Sequence, residues 1–361
     1  MKIFFDYRIF YHQFNGGISR YILNLSKEFL LLDKENFIVA PIHINVMLDY
    51  YSKNFINYKG IYIKKKKIFT NKFMNLVNYA LTNYFTYKLR PSVYHQTYYG
   101  GFPRAKNIIK VVTVHDLIHE KYYMDYGLLI SDRPKKKSIE QSDKIICVSS
   151  NTKKDLQEYY NVDDKKIFVI NHGHEHLINL IEASKKINRE NFILYVGGRD
   201  KYKNFKSFIE AYSSSSILKK ETKIVCFGGG NFKNSEIELF IKKKIYNNIT
   251  NVEGNDLDLA MLYRKALMLI YPSLYEGFGF PIVEAMSLGC PVVVSNTESL
   301  KETAGSTGIY FDPMNTEDLA DKLEKVIMQG VDIKRIHQGY EHLKKFSWKS
   351  CAINTIKAYE Y

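Results

Sequence analysis

The stretch Tyr271-Pro-Ser-Leu-Tyr-Glu-Gly-Phe-Gly-Phe-Pro-Ile-Val-Glu-Ala-Met286 decides how this chain is read. It follows an apolar run at 268–271 that reads as a buried strand, and it opens a segment with helical apolar spacing. Pro281 suits the first turn of a helix, where its missing N–H costs nothing. Gly277 and Gly279 let backbone approach a ligand closely. The free N–H groups of such a loop and helix start favour phosphate or sugar oxygens. Glu276 lies in the loop, and Glu284 follows about one turn into the helix. The carboxyl end of a strand is also where open α/β sheets bind ligands. Two glycines and two glutamates taken singly fit a tight surface turn equally well, so the weight rests on the whole string.

Outward from this stretch the same rhythm repeats. Strands are expected at 192–196, 223–227, 268–271, 292–295 and 308–311, and helices at 205–214, 234–244, 256–266, 281–288 and 316–328. The first half carries β-branched runs at 2–7, 37–43, 109–114, 145–148 and 167–170. Apolar residues at 18, 21, 22, 25, 29 and 32 predict a helix over 18–32. Ser149-Ser150-Asn151 reads as the capped start of a helix over 152–160. Strands alternating with helices predict parallel α/β sheets, and two series predict two doubly wound domains. A break falls at 175–190, with no proline- or serine-rich linker, so the domains are expected at 1–178 and 190–346.

The chain has 361 residues, 45% of them hydrophobic and 25% charged, which excludes a disordered or collagen-like chain. Its four cysteines, Cys147, Cys226, Cys290 and Cys351, form no CxxC pair and read as small buried hydrophobes of a reducing cytoplasm. No signal peptide and no apolar run long enough to span a bilayer is visible. The formal net charge is +14. Residues 50–115 concentrate it, with 12 Lys/Arg, 15 Tyr/Phe and no Asp or Glu. Such a segment implies an anionic partner: nucleic acid, an anionic membrane surface or a polyanionic substrate. Within it, 71–90 reads either as an amphipathic interfacial helix or as a core-facing helix with a solvated basic face.

The string from 272 to 303, including Ser287-Leu-Gly-Cys-Pro-Val-Val293, resembles the Glu-x7-Glu region of the retaining glycosyltransferases of family 4. Asn15-Gly-Gly-Ile-Ser-Arg20 is similar to that family's N-terminal glycine loop. Thr113-Val-His-Asp116, Cys147-Val-Ser-Ser-Asn-Thr152 and the segment from Phe346 to Tyr359 resemble it further. The resemblance implies the GT-B fold, two Rossmann-like parallel-sheet domains facing across a cleft, with a final helix at 347–361 returning to the N-terminal domain. It implies transfer of a hexose from a UDP- or GDP-sugar to a lipid-diphosphate-linked oligosaccharide, in O-antigen or capsule synthesis. By resemblance Glu276 meets the donor sugar and Glu284 the ribose. Backbone of Gly277, Phe278 and Gly279 holds the sugar, Arg199, Lys203, Gly16 and Gly17 face the diphosphate, and His115 points toward the donor sugar. Arg199 and Lys203 stand four apart, whereas many members space the pair five apart. No metal and no cofactor beyond the donor substrate is expected. Lys64, Lys65, Lys66 and Lys67 are expected at an acceptor or membrane surface, with the protein cytoplasmic and peripheral on the inner membrane face.

Rival readings attach to several of these residues. Arg199 and Lys203 also fit a basic surface turn. Asp256-Leu-Asp258 matches the DxD motif of metal-dependent enzymes, but helix capping explains it better. His172, His174 and His176 alternate, which in a strand places three imidazoles on one face as zinc ligands would be; a polar loop is the favoured reading. For the whole chain, the alternatives are an epimerase or phosphorylase on the same fold, or a basic nucleic-acid binder. No helix-turn-helix, RNP or zinc-finger string supports the last.

Overall fold

The computed structural model describes residues 1–53, 55–64, 71–103, 105, 107–126, 133–181, 188–199 and 201–361. The chain divides into one unit of Met1–Gly173 with Trp348–Tyr361 and a second of His174–Ser347. Residues 174–178, read with the first domain from sequence, thus group with the second unit.

The first unit is built on seven strands: β1 (Lys2–Phe5), β2 (Glu35–His43), β3 (Tyr58–Tyr62), β4 (Val93–Gln96), β5 (Ile109–Val114), β6 (Lys144–Cys147) and β7 (Ile167–Val169). They run in the order β3-β2-β1-β4-β5-β6-β7, every pair parallel. The second unit carries β8 (Phe192–Val196), β9 (Lys223–Phe227), β10 (Ile249–Val252), β11 (Met268–Tyr271), β12 (Val292–Ser295) and β13 (Ile309–Phe311). Their order is β10-β9-β8-β11-β12-β13, again all parallel. In each sheet the order in which successive strands are added reverses once, at β1/β4 and at β8/β11. Those reversals are the crevices where doubly wound sheets place ligands.

Burial on both faces explains the unbroken apolar strands. Every residue of β11 and β12 is buried. Phe208, Tyr212, Phe240 and Leu323 from the covering helices close the second core over β8, β9 and β11. In the first unit, helix Trp348–Glu360 lies against helix Gly17–Leu31. Tyr359 packs edge-on against Phe29, and its hydroxyl is 2.6 Å from His95 Nδ1. A Cβ on Gly173 would sit 2.2 Å from the Trp348 backbone nitrogen, so only glycine lets the two segments meet there.

Three strands, and several helices including Arg8–His12, were not foreseen. The strand expected over 2–7 stops at Phe5 because Asp6, fully buried, turns the chain into helix Arg8–His12. Its carboxylate accepts from Thr97 Oγ1 at 2.6 Å and pairs with Arg8. β4 is Val-Tyr-His-Gln, buried throughout yet half polar, which hides it from an apolar-run search. β3, largely exposed, and β10, half-buried, are edge strands of mixed polarity. Among the described residues no helix is long and apolar enough to cross a membrane.

Candidate active site

The loop 272–279 leaves the carboxyl end of β11, beside the reversal of the second sheet. Gly279 caps the following helix Phe280–Ser287 with φ +94°, a left-handed conformation that glycine adopts without strain. A Cβ there would come within 3.1 Å of both Ile282 and Leu300 side chains. Pro281 occupies the first turn, as its missing donor requires. Phe278 does not offer its ring outward: it is buried edge-on against Phe280 and Phe346, and its carbonyl accepts from Thr303 Oγ1 at 2.5 Å. The loop is therefore held rigid from behind.

A second loop meets it from β8. Leu274 N–H donates to the Tyr202 carbonyl at 2.8 Å, fastening the 201–203 turn to the β11 loop. Lys203 thereby places Nζ 2.6 Å from Glu276 Oε1, with the two side chains only 17% and 10% exposed. The ammonium also lies 5.5 Å from the ring centre of Tyr271, whose hydroxyl is 3.5 Å away. Burial and the neighbouring Glu276 carboxylate raise the Tyr271 pKa well above the ordinary phenol value, so it stays a neutral donor.

Glu284 is the second carboxylate. Oε1 lies 2.8 Å from His176 Nε2, and Oε2 accepts from Tyr263 OH at 2.9 Å. Burial, then the carboxylate, hold the Tyr263 hydroxyl protonated. A carboxylate has about four lone-pair sites, so Glu284 can serve protein donors and the hydroxyls of a ligand together. The structure thus brings Lys203, Glu276, Gly277, Gly279 and Glu284 together on one stretch of the sheet's carboxyl edge.

Arg199 has a different surrounding from that expected for a phosphate ligand. Nε donates to Glu236 Oε1 at 2.7 Å, Nη1 to the Gly228 carbonyl at 3.2 Å, and Nη2 to the Gly230 and Asn231 carbonyls at 2.9 Å each. The guanidinium also covers the Phe232 ring at 4.9 Å. Its charge is neutralised by Glu236, and its donors hold the turn Gly228-Gly229-Gly230, all three at positive φ. That turn, at the carboxyl end of β9, went unread in the sequence although three consecutive glycines after a strand announce it.

In the first unit Gly16 and Gly17 start helix Gly17–Leu31, with the Gly16 carbonyl accepting from Arg20 N–H and Ser19 Oγ. Tyr21 on that helix reaches the end of β5, 5.4 Å edge-on from the His115 ring, which stacks on His172 at 5.9 Å. Burial lowers the His115 pKa to about 4, so the imidazole is neutral near pH 7. Lys64 is exposed; Lys65, Lys66 and Lys67 lie outside the described residues.

The three alternating histidines serve separate ends. His172 packs on Tyr21 at 4.7 Å, His174 Nδ1 meets the Phe346 carbonyl, and His176 holds Glu284. Among the described residues no cluster of His, Cys, Asp and Glu fits a metal ion. Asp258 stands in a capping box with Asn255: Asn255 Oδ1 accepts from Leu257 and Asp258 N–H, and Asp258 Oδ2 accepts from Asn255 N–H, while Asp256 lies in the first turn of the same helix.

Comparison with known proteins agrees with this architecture. Residues 15–176 match the family model "Glycosyltransferase Family 4", and residues 178–342 match "Glycosyl transferases group 1". O-antigen chain mannosyltransferase B of Escherichia coli is 32% identical over 182 residues, 47% of this chain and 46% of that protein. O-antigen chain mannosyltransferase RfbU of Salmonella typhimurium is 31% identical over 228 residues, 60% of each chain. The matched region thus spans about half to three-fifths of these relatives. The crystal structure of S. aureus TarM with fondaparinux, α-GlcNAc-glycerol and UDP superimposes with a TM-score of 0.76 over the whole of both chains, at 16% identity. With two parallel sheets of matching order, and family models covering both halves, the chain belongs to the glycosyltransferases of family 4 and has their GT-B fold.

Proposed function

We propose that the chain is a retaining, metal-independent glycosyltransferase. It moves a hexosyl group, mannose in the first instance, from a UDP- or GDP-sugar to a lipid-diphosphate-linked glycan of a bacterial surface polysaccharide. The observation that carries the reading is the Lys203–Glu276 pair, 2.6 Å apart beside a glycine loop at the switch point of the second sheet. The relatives named as O-antigen mannosyltransferases support the sugar and the glycan class, and UDP in TarM supports the donor class.

Each residue then has a task. A nucleoside diphosphate leaves with about two negative charges, and a preorganised donor aimed at that charge is worth roughly 3 kcal/mol. Lys203 supplies the cation, the N–H groups around Gly277 and Gly279 supply neutral donors, and Glu276 holds sugar hydroxyls. Glu284, oriented by Tyr263 and His176, takes the ribose hydroxyls. Arg199 acts at one remove, by fixing the glycine turn at 228–231. In the transfer the bond from the anomeric carbon to the phosphate oxygen breaks, and a bond to the acceptor oxygen forms on the same face. The departing phosphate accepts the acceptor's proton. Neutral His115 serves as a hydrogen-bond partner and not as a charge. Of the DxD-like string, the Asp258 carboxylate is engaged in a helix cap, which favours cationic over metal neutralisation.

The acceptor places the enzyme at the inner face of the cytoplasmic membrane. The test is product analysis after incubation with GDP-mannose, UDP-glucose and UDP-N-acetylglucosamine, each with a polyprenyl-diphosphate-linked sugar. An α-linked product from an α-donor supports the proposal. Conversion of the nucleotide sugar without acceptor refutes it in favour of an epimerase.

A further inference from the structure

Helix Asn71–Leu89 buries polar side chains toward the sheet and turns large apolar ones to solvent. The side against the first sheet is mixed: Asn78, Thr82 and Thr86 are buried, beside Phe85 and Leu89 packed on the core of Phe4, Val39 and Tyr94. The reason lies in β2, where pairing with β3 slips between Ala40 and Ile42. Asn78 restores the lost pairing, accepting from Ile42 N–H at 2.7 Å and donating to the Ile42 carbonyl at 3.0 Å. Asn75 accepts from Tyr7 OH at 2.9 Å on the same side.

The side turned to solvent is apolar. Phe73, Leu76, Tyr84 and Tyr87 are each more than half exposed, Tyr87 to 77%, and Ala80 is exposed among them. Positions 73, 76, 80, 84 and 87 follow helical spacing and form one stripe about 20 Å long. Exposed Lys72 and Lys88 stand at its two ends, with exposed Arg90 just beyond. The helix holds no carboxylate, and none occurs anywhere from 50 to 115.

We infer that this stripe is the surface by which the chain lies on an anionic phospholipid bilayer, with Phe73, Leu76, Tyr84 and Tyr87 entering the headgroup–acyl boundary. The inference rests on the proposed lipid-linked acceptor for its purpose, but on the exposed face for its evidence. Tyrosines and phenylalanine flanked by lysines match an interface that is apolar below and anionic at its surface. A second copy fits worse, because pairing two such faces sets Lys72 and Lys88 against one another with no carboxylate to balance them.

The test is flotation of the full chain with vesicles of phosphatidylethanolamine and phosphatidylglycerol, and with phosphatidylcholine vesicles as control. The wild type is expected to bind the anionic vesicles. Phe73→Ser/Leu76→Ser/Tyr87→Ser should lose about 100-fold or more in affinity, since binding scales with buried apolar area. Lys72→Gln/Lys88→Gln should lose roughly fivefold per residue on anionic vesicles only. A separate variant, Tyr87→Trp, should show a blue-shifted emission quenched by brominated lipid, independently of how the triple variant folds. Wild type that ignores anionic vesicles, a triple variant that still floats, or a helix whose substitution dissolves a dimer without altering lipid binding would each overturn the inference. Nucleotide titration separates it from the functional reading: vesicle binding through this stripe without nucleotide binding leaves the surface standing and removes the transferase.

Discussion

Replacing Glu276 with glutamine should tighten the binding of a free nucleoside diphosphate while lowering turnover. The sign follows from geometry. Glu276 Oε1 lies 2.6 Å from Lys203 Nζ, so the cation that faces the diphosphate is shared with a carboxylate. A phosphate oxygen on the open side of the same ammonium, at about 2.8 Å, lies roughly 5 Å from that carboxylate. Like charges at this separation repel by about 1 kcal/mol at the dielectric of water and about 3 kcal/mol at an effective dielectric of about 20. Both side chains keep some exposure, so the lower part of this range applies, about 1 to 1.5 kcal/mol. That corresponds to a five- to tenfold decrease in Kd, by about 1.4 kcal/mol per decade. Glutamine keeps the shape and the acceptor toward Lys203, so only the charge changes. The donor sugar, absent from a free diphosphate, loses its carboxylate partner, and turnover falls. Calorimetric titration at moderate salt reads the affinity, and initial rates read turnover. A folded Glu276→Gln variant that binds the diphosphate no better than wild type, or worse, would refute the reasoning.

Three further outcomes are expected. Tyr263→Phe removes a protein donor from Glu284 and should destabilise the second unit by about 1.5 to 3 kcal/mol, as a charge-assisted bond is worth, with a raised KM for the donor; an unchanged melting transition and KM would remove Tyr263 from the site. Gly279→Ala forces a left-handed residue to carry a Cβ 3.1 Å from Ile282 and Leu300, and should cost about 1–2 kcal/mol or more in thermal or urea unfolding; a neutral effect would contradict the loop geometry. The first unit should weaken in acid. Burial lowers the His95 pKa to about 3 and the His115 pKa to about 4, against an ordinary value of 6.5. The unfolded chain therefore takes up protons first, so this stability is complete above pH 6.5 and is lost as pH falls from there toward 4 and 3, by up to about 1.4 kcal/mol per histidine per pH unit. Urea midpoints followed by the emission of Trp348, the single tryptophan, should fall across that window; a flat profile would mean that these imidazoles are not held neutral by the fold.

The second unit was the more legible half because its strands, apart from the edge strand β10, are apolar runs and its caps are local. Val292–Ser295, Asp258 at the helix start and Gly279 before Pro281 each declare their role within a few residues. The parts that sequence did not reveal depend on distant partners. Arg199, expected from sequence to face the diphosphate, donates to Glu236 and to the carbonyls of the 228–231 turn, partners 29 to 37 positions away. His176 and Tyr263 become site residues only because both meet Glu284, from 108 and 21 positions away. β4 escaped notice since His95 and Gln96 are buried polar residues, and His95 is satisfied by Tyr359 from the chain's far end. The helix over 71–89 was placed correctly by its spacing. Its orientation was not readable, because the bulge in β2 that draws in Asn78 leaves no local mark in the helix.

The central claim is that the second unit holds a nucleoside diphosphate at Lys203 without a metal. Its most direct test is calorimetric titration of UDP, GDP and ADP into the full chain at physiological salt, without and then with Mg²⁺, alongside Lys203→Met. One of the three should bind in the absence of metal, and Lys203→Met should weaken it by about 10- to 100-fold, the loss of one charge-assisted contact. Binding by none of the three, together with tight, salt-sensitive DNA binding, would contradict it and turn the basic first unit toward nucleic acid.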